Sequence, residues 1–171
     1  MCLLALALFR ICKTRTKLAD MPRLIAADAS PLIGLATADG FELLRELFGT
    51  VTITRTVNEE VMAGGALPGA RELHAAMREG WIRVAPAPPE TWKYASLGAG
   101  EASTIALAVQ HGGETLVLMD DALGREQAVA LGLEVTGLAG LLHAAQGARL
   151  IDDVRPFFER LARRGFTLPR E

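Results

Sequence analysis

The stretch that decides the fold reads Leu24-Ile25-Ala26-Ala27-Asp28-Ala29-Ser30-Pro31-Leu32-Ile33. Four apolar residues in a row, without polar alternation, mark a short strand buried in a sheet. Asp28 ends the run. Ser30 followed by Pro31 reads as an N-cap and the first helical position, because proline's missing N–H costs nothing there. The helix then carries Leu32, Ile33, Leu35 and Ala36. A buried strand that ends in an acid and turns straight into a helix is the opening of an α/β unit.

Working outward, the same alternation recurs. A helix from Asp39-Gly40 presents Phe41, Leu43, Leu44, Leu47 and Phe48 and stops at Gly49. Val51-Thr52-Ile53-Thr54 is β-branched and reads as a second strand. Thr56 and Glu59 have capping-box spacing, so a helix carrying Glu60 is expected to start there and to break at Gly64-Gly65. A helix after Pro68 carries Leu73, Ala76 and Met77 and stops at Gly80. Trp81–Val84 is a third strand, and Pro86-Ala87-Pro88-Pro89 is a connection too short to separate domains. A helix over Ala102–His111 follows Gly98-Ala99-Gly100-Glu101. Leu116–Met119 is a buried strand ending in Asp120-Asp121. A helix from Leu123 to Leu131, a strand Glu134–Thr136, and helices Leu138–Gln146 and Val154–Arg164 complete the chain. Strands alternating with helices predict a single α/β domain over residues 21–171 with a mainly parallel sheet.

Residues 1–20 stand apart. Their apolar run stops at Arg10, short of the ~20 residues that span a bilayer. The positive charge follows this run, the reverse of a signal peptide. We read residues 1–20 as an extension outside the fold, without stable membrane association. They carry a net +3, which leaves −5 on the other 151 of the 171 residues. The main body therefore lacks a basic nucleic-acid footprint, although bound cations in an acidic site can supply the missing positive charge. Half the residues are apolar, which excludes a disordered chain. Cys2 and Cys12 both lie in the extension, which excludes a zinc cluster or disulfide frame and fits a reducing, cytoplasmic location.

The candidate site is acidic. Ligands in open α/β sheets bind beyond the carboxyl ends of the strands. Asp28 and Asp120-Asp121 stand at two such ends, and carboxylates are costly to bury unless paired or bound to metal. Glu101 and Glu60 are possible further ligands. Taken alone, Glu101 reads more readily as an acid in the first turn of a helix, and Glu60 has the alternative of a solvated helix face. Strand alternation lets only one of Asp120 and Asp121 point fully into a crevice, with Asp121 slightly favoured, and either can cap the next helix. Carboxylates without nearby His or Cys select hard cations such as Mg²⁺ or Mn²⁺, which serve phosphoryl chemistry. His74, His111 and His143 are scattered. The chain has no Gly-x-Ser-x-Gly elbow, no Walker loop and no dinucleotide fingerprint. Only 5% of residues are aromatic, too few for a base-stacking platform.

The segment Asp28–Ile33 resembles the opening of PIN-domain proteins, most closely the DUF3368 branch. Val57-Asn58-Glu59-Glu60-Val61, Gly100-Glu101-Ala102 with Ile105–Ala108, and Leu116–Asp121 resemble its later acidic motifs in order. Val135-Thr136-Gly137, Val154-Arg155-Pro156 and Arg164-Gly165-Phe166 are similar to its C-terminal part. Ala29 departs from the threonine that is frequent in the family. The resemblance implies a three-layer α/β/α sandwich with strand order 3-2-1-4-5. It implies an acidic pocket of Asp28, Glu60, Glu101 and Asp121, with Asp28 and Glu101 as main metal ligands, Asp121 on a second ion and Glu60 at the rim. Asp120 is kept beside Asp121, and Ser30 and Thr136 would orient ligands or water. It further implies a Mg²⁺- or Mn²⁺-dependent endoribonuclease acting on RNA, a toxin paired with a small antitoxin protein, and a homodimer. The rival readings are a catalytically silent PIN fold that acts as a binding module and a small metal-dependent nucleotide phosphatase.

Overall fold

The computed structural model describes residues 24–166 apart from 87, 89, 90, 95 and 113. The expected extension over residues 1–20 and part of the Pro86–Pro89 connection lie outside the described residues. Five strands form one sheet: β1 (Leu24–Ala27), β2 (Val51–Thr54), β3 (Ile82–Ala85), β4 (Thr115–Leu118) and β5 (Glu134–Thr136). All pairings are parallel, in the order β3-β2-β1-β4-β5. Leu24 pairs with Thr115 and Ala27 with Leu118, and the Asp28 N–H continues that ladder to the Leu118 carbonyl at 2.9 Å. The α/β/α sandwich expected from the sequence is the observed fold.

Eight α-helices cover the sheet among the described residues. They are α1 (Ala29–Thr37), α2 (Leu43–Phe48), α3 (Arg55–Ala63), α4 (Ala70–Glu79), α5 (Ala99–His111), α6 (Ala122–Ala130), α7 (Leu138–Gly147) and α8 (Arg155–Arg163). A 3₁₀ turn, Thr91–Tyr94, precedes α5. None is long and apolar enough to cross a membrane.

The period of two along the strands builds two cores. Ile25, Ala27, Val51, Ile53, Leu116 and Leu118 pack on one face with α1, α2, α7 and α8 residues such as Leu32, Leu44, Leu138 and Leu161. Val117, Met119 and Val135 face the other way, against Ala102, Ile105 and Ala106 of α5 and Ala128 of α6. The central strands β1, β2 and β4 are thus covered on both sides, which explains why they read as apolar or β-branched runs, whereas Arg83 and Val84 of the edge strand β3 are exposed. Fully burying one Leu or Ile is worth about 1.5–3 kcal/mol, so the two cores supply the main driving force.

Several boundaries differ from the sequence reading. The strand runs straight into α1, so the extended residue before the helix is Asp28, not Ser30. Likewise Thr54, not Thr56, caps α3, and its Oγ1 accepts the Val57 N–H at 3.2 Å. Glu59 is consequently an exposed helix residue with no cap role. The helix expected from Asp39-Gly40 starts only at Leu43, because Asp39 has a positive φ of 56° and ends α1. α5 begins at Ala99, three residues early, which brings Gly100 and Glu101 inside its first turn.

Candidate acidic site

The carboxyl end of β1 delivers Asp28 to the α5 side of the sheet, in phase with Ala26. Beside it lies a cleft of about 380 Å³ lined by Asp28, Ser30, Thr56 and Glu60 on one wall and Gly98–Glu101 on the other. Asp28 is only 3% exposed. Glu60, on α3, is exposed at the mouth, and Glu101 is half-buried. Three of the acids singled out in the sequence therefore meet in one cleft, and Ser30 joins them.

The floor is Gly100. A Cβ placed on it would lie 2.5 Å from Glu60 Oε2 and 2.8 Å from Asp28 Oδ1. Only a residue without a side chain lets both carboxylates converge over the start of α5. Glu101 is held in a different manner: its Oε2 accepts the Gly98 N–H at 2.6 Å. The first-turn acid role foreseen for Glu101 is therefore real, and it coexists with a place in the cleft wall.

The electrostatics follow from this packing. Burial, followed by the charges of Glu60 and Glu101, pushes the Asp28 carboxyl from 3.8 up to about 7. The N–H groups of Ala29 and Ser30 oppose the shift, although no side-chain cap hydrogen bond closes there. Burial and then the Glu101 charge raise Glu60 above the usual carboxylate range.

Asp120 and Asp121 do not line the cleft. Asp121 is exposed and caps α6, its Oδ1 accepting the Gly124 N–H at 2.7 Å. Asp120 has the parity of Leu118 and so turns to the opposite side. There its Oδ1 accepts the Leu138 N–H at the start of α7, at 2.7 Å. Burial raises its pKa, against the Leu138 hydrogen bond and the Arg125 charge. Asp120 Oδ2 and the hydroxyl of Thr136 are both buried without a hydrogen-bond partner.

Among the described residues no group of three His, Cys, Asp or Glu side chains is gathered tightly enough to hold an ion. The converging pair of Asp28 and Glu60 still fits a hard divalent cation. Mg²⁺ is commonly held by one or two carboxylates, with waters and substrate phosphate completing its shell. Two oxygens brought together over a side-chain-free floor supply that minimal set.

Sequence reasoning missed three participants. Thr56, a cap by its spacing, lines the cleft instead. Gly100 stands in a motif whose sequence does not show the close approach that it permits. The third is a buried hydroxyl pair, Thr54 and Ser103, with Oγ atoms 2.7 Å apart. Thr54 was identifiable only as a strand residue, and a lone buried serine in a helix carries no sequence signal.

A search of the curated proteins finds no match. A family model described as a PIN domain, DUF3368, matches residues 24–171. That match takes in all five strands and the acidic cleft, and the chain belongs to the DUF3368 family of PIN domains, a nuclease-type fold.

Proposed function

We propose that the protein is a divalent-metal-dependent endoribonuclease, the toxin of a toxin–antitoxin pair. PIN domains are generally nucleases and typically use divalent metal ions. The observation that carries the reading is the convergence of Asp28 Oδ1 and Glu60 Oε2 over Gly100. A surface acid cluster needs no such floor, whereas a cation held by two oxygens does.

Asp28 and Glu60 would hold a Mg²⁺ or Mn²⁺, which would supply positive charge to the scissile phosphate and activate water for in-line displacement. Glu101, fixed by the Gly98 N–H, would add a carboxylate from the facing wall, and the Ser30 hydroxyl would orient water or phosphate. Burial raises the Asp28 carboxyl to about 7, so Asp28 would have to be deprotonated to hold the ion. Ion-free, the acids repel a phosphodiester, so cleavage requires the cation. We assign no ion to Asp121 or Asp120 in this arrangement, since their carboxylates cap α6 and α7. The antitoxin, a small protein, inhibits by placing an Arg on the carboxylates, where its fork pairs bidentately. A homodimer and a cytoplasmic location complete the proposal.

The test is cleavage of a mixed RNA pool by the full chain with Mg²⁺, Mn²⁺ or EDTA, beside Asp28→Asn purified identically. Metal-dependent cleavage that is lost in the variant is expected. Equal cleavage by both proteins would point to contamination or a different site, and cleavage of mononucleotides alone would select a phosphatase. Cation binding without cleavage by the wild type would select a silent module.

A further inference from the structure

We infer that Thr54 and Ser103 are positioning residues for the acidic cleft, acting through the Gly100 carbonyl to set the floor on which Asp28 and Glu60 meet. The inference rests on the reading of that cleft as a divalent-ion site.

Each hydroxyl has one hydrogen to give. Ser103 Oγ donates its hydrogen to the Gly100 carbonyl at 2.8 Å, so at the 2.7 Å contact with Thr54 it must accept. Thr54 Oγ1 therefore donates to Ser103 while accepting the Val57 N–H. The order is fixed: Val57 N–H to Thr54, Thr54 to Ser103, Ser103 to Gly100. Thr104 Oγ1 donates to the same carbonyl at 2.9 Å. Thr54 and Ser103 have no exposed surface at all, so this relay works in a low-dielectric interior, where a hydroxyl bond is strong and its loss is felt.

Its endpoints are the two walls of the cleft. Val57 lies in the first turn of α3, the helix that carries Glu60. Gly100 lies in the first turn of α5, and its carbonyl belongs to the peptide that leads into Glu101. Serine or threonine inside a helix often bonds back to a carbonyl one turn earlier, and on that ground alone Ser103 and Thr104 would be ordinary. The difference lies in the cross-element partner. Thr54 joins the relay to the β2–α3 junction. The same carbonyl plane then fixes Gly100, over which Glu60 Oε2 and Asp28 Oδ1 converge. Moving α5 against α3 by a few tenths of an ångström changes the gap between the two oxygens directly.

The experiment is a Mn²⁺ titration of the full chain, followed by the EPR signal of the free ion, with RNA cleavage and melting in EDTA alongside. Ser103→Ala and Thr54→Val are expected to weaken Mn²⁺ binding tenfold or more. The kcat for RNA should fall with little change in KM, because the substitutions lie behind the cleft and touch no cleft-lining side chain. Thr54→Ser keeps the hydroxyl and should bind within twofold of wild type, a rescue that a purely packing role would not give. Should alanine at 103 or valine at 54 fail to fold, Ser103→Cys keeps the volume with a weaker bond, and must still lose at least threefold. Lowered melting temperature with unchanged Mn²⁺ affinity in the folded variants would overturn the inference. A wild-type chain that binds no Mn²⁺ would instead remove the ion site itself, and the positioning role with it.

Discussion

Replacing Asp28 with Asn is expected to make the protein more stable and less able to hold a cation. Folding lifts the Asp28 carboxyl from 3.8 to about 7. A carboxyl whose pKa rises on folding holds its proton more tightly in the native state. Its favourable contribution is complete below pH 3.8 and is lost as the pH climbs through about 7. The gap of about three units, at roughly 1.4 kcal/mol each, amounts to about 4 kcal/mol. Asn is neutral at every pH, and Asp28 closes no side-chain cap hydrogen bond before α1 for the substitution to lose. In EDTA the variant should match wild type near pH 4. It should gain about 1.4 kcal/mol per pH unit up to about pH 7, and keep a constant lead above that. Glu60 and Asp120 are also raised, so the slope of wild type alone is ambiguous, and the difference between the two proteins is the quantity to follow. Urea denaturation from pH 4 to 9 measures it. Mn²⁺ at a hundred times its Kd should return about 2.7 kcal/mol to wild type and nothing to the variant. An Asn variant that is less stable than wild type in EDTA at pH 8, or a pH-independent difference, would refute the reasoning.

Three further outcomes can be checked. Gly100→Ala should fold, since the helix-propensity gain of up to about 1 kcal/mol offsets strain, yet lose Mn²⁺ binding, because its Cβ would press on Glu60 Oε2 and Asp28 Oδ1; binding that survives in a titration would contradict the floor's role. Asp121→Ala should cost about 1 kcal/mol as a lost cap and leave Mn²⁺ affinity within twofold. A tenfold loss of affinity would mean that Asp121 leaves its cap to hold an ion. Arg160→Ala should lower stability by about 1–2 kcal/mol in a thermal melt. It removes a 2.7 Å bond to the Ala38 carbonyl and a guanidinium 4.5 Å from the Phe157 ring centre.

The layer architecture was legible because the central strands β1, β2 and β4 are buried on both faces and therefore read as apolar or β-branched runs. β3 and β4 are each displaced by one residue from their expected spans, since Ala85, a weak strand former, and Thr115, just outside the apolar run, both pair in the ladder. Helix starts were less legible. Thr54 and Thr56, two residues apart, both satisfy cap chemistry, and only the length of β2 decides between them. In the site, the placement rule for strand ends brought out Asp28, which the structure puts in the cleft with Glu60 and Glu101. The same rule applied to β4 did not foresee that α6 and α7 would each recruit one of its acids as a cap. Hydroxyl relays and the room left by Gly100 depend on how α3 and α5 approach, which no local pattern encodes.

The placement of β1 also bears on when the cleft can exist. β1 lies between β2 and β4, and its pairing with β4 joins residues 24–27 to 115–118. Ribosomes add about 5–20 residues per second, so on the order of ten seconds separates the synthesis of the two strands. Through that interval the apolar segment Ile25-Ala26-Ala27 has one edge without its native partner, and α5 with Glu101 is made only towards its end. The two acids reach their separate helix and strand before they reach each other. Their mutual repulsion is therefore imposed late, by the closing of the sheet, on a chain whose β1–β2–β3 half has already been made. A nascent chain interrupted before residue 115 carries Asp28 and Glu60 without the native β4 edge that completes the frame around them.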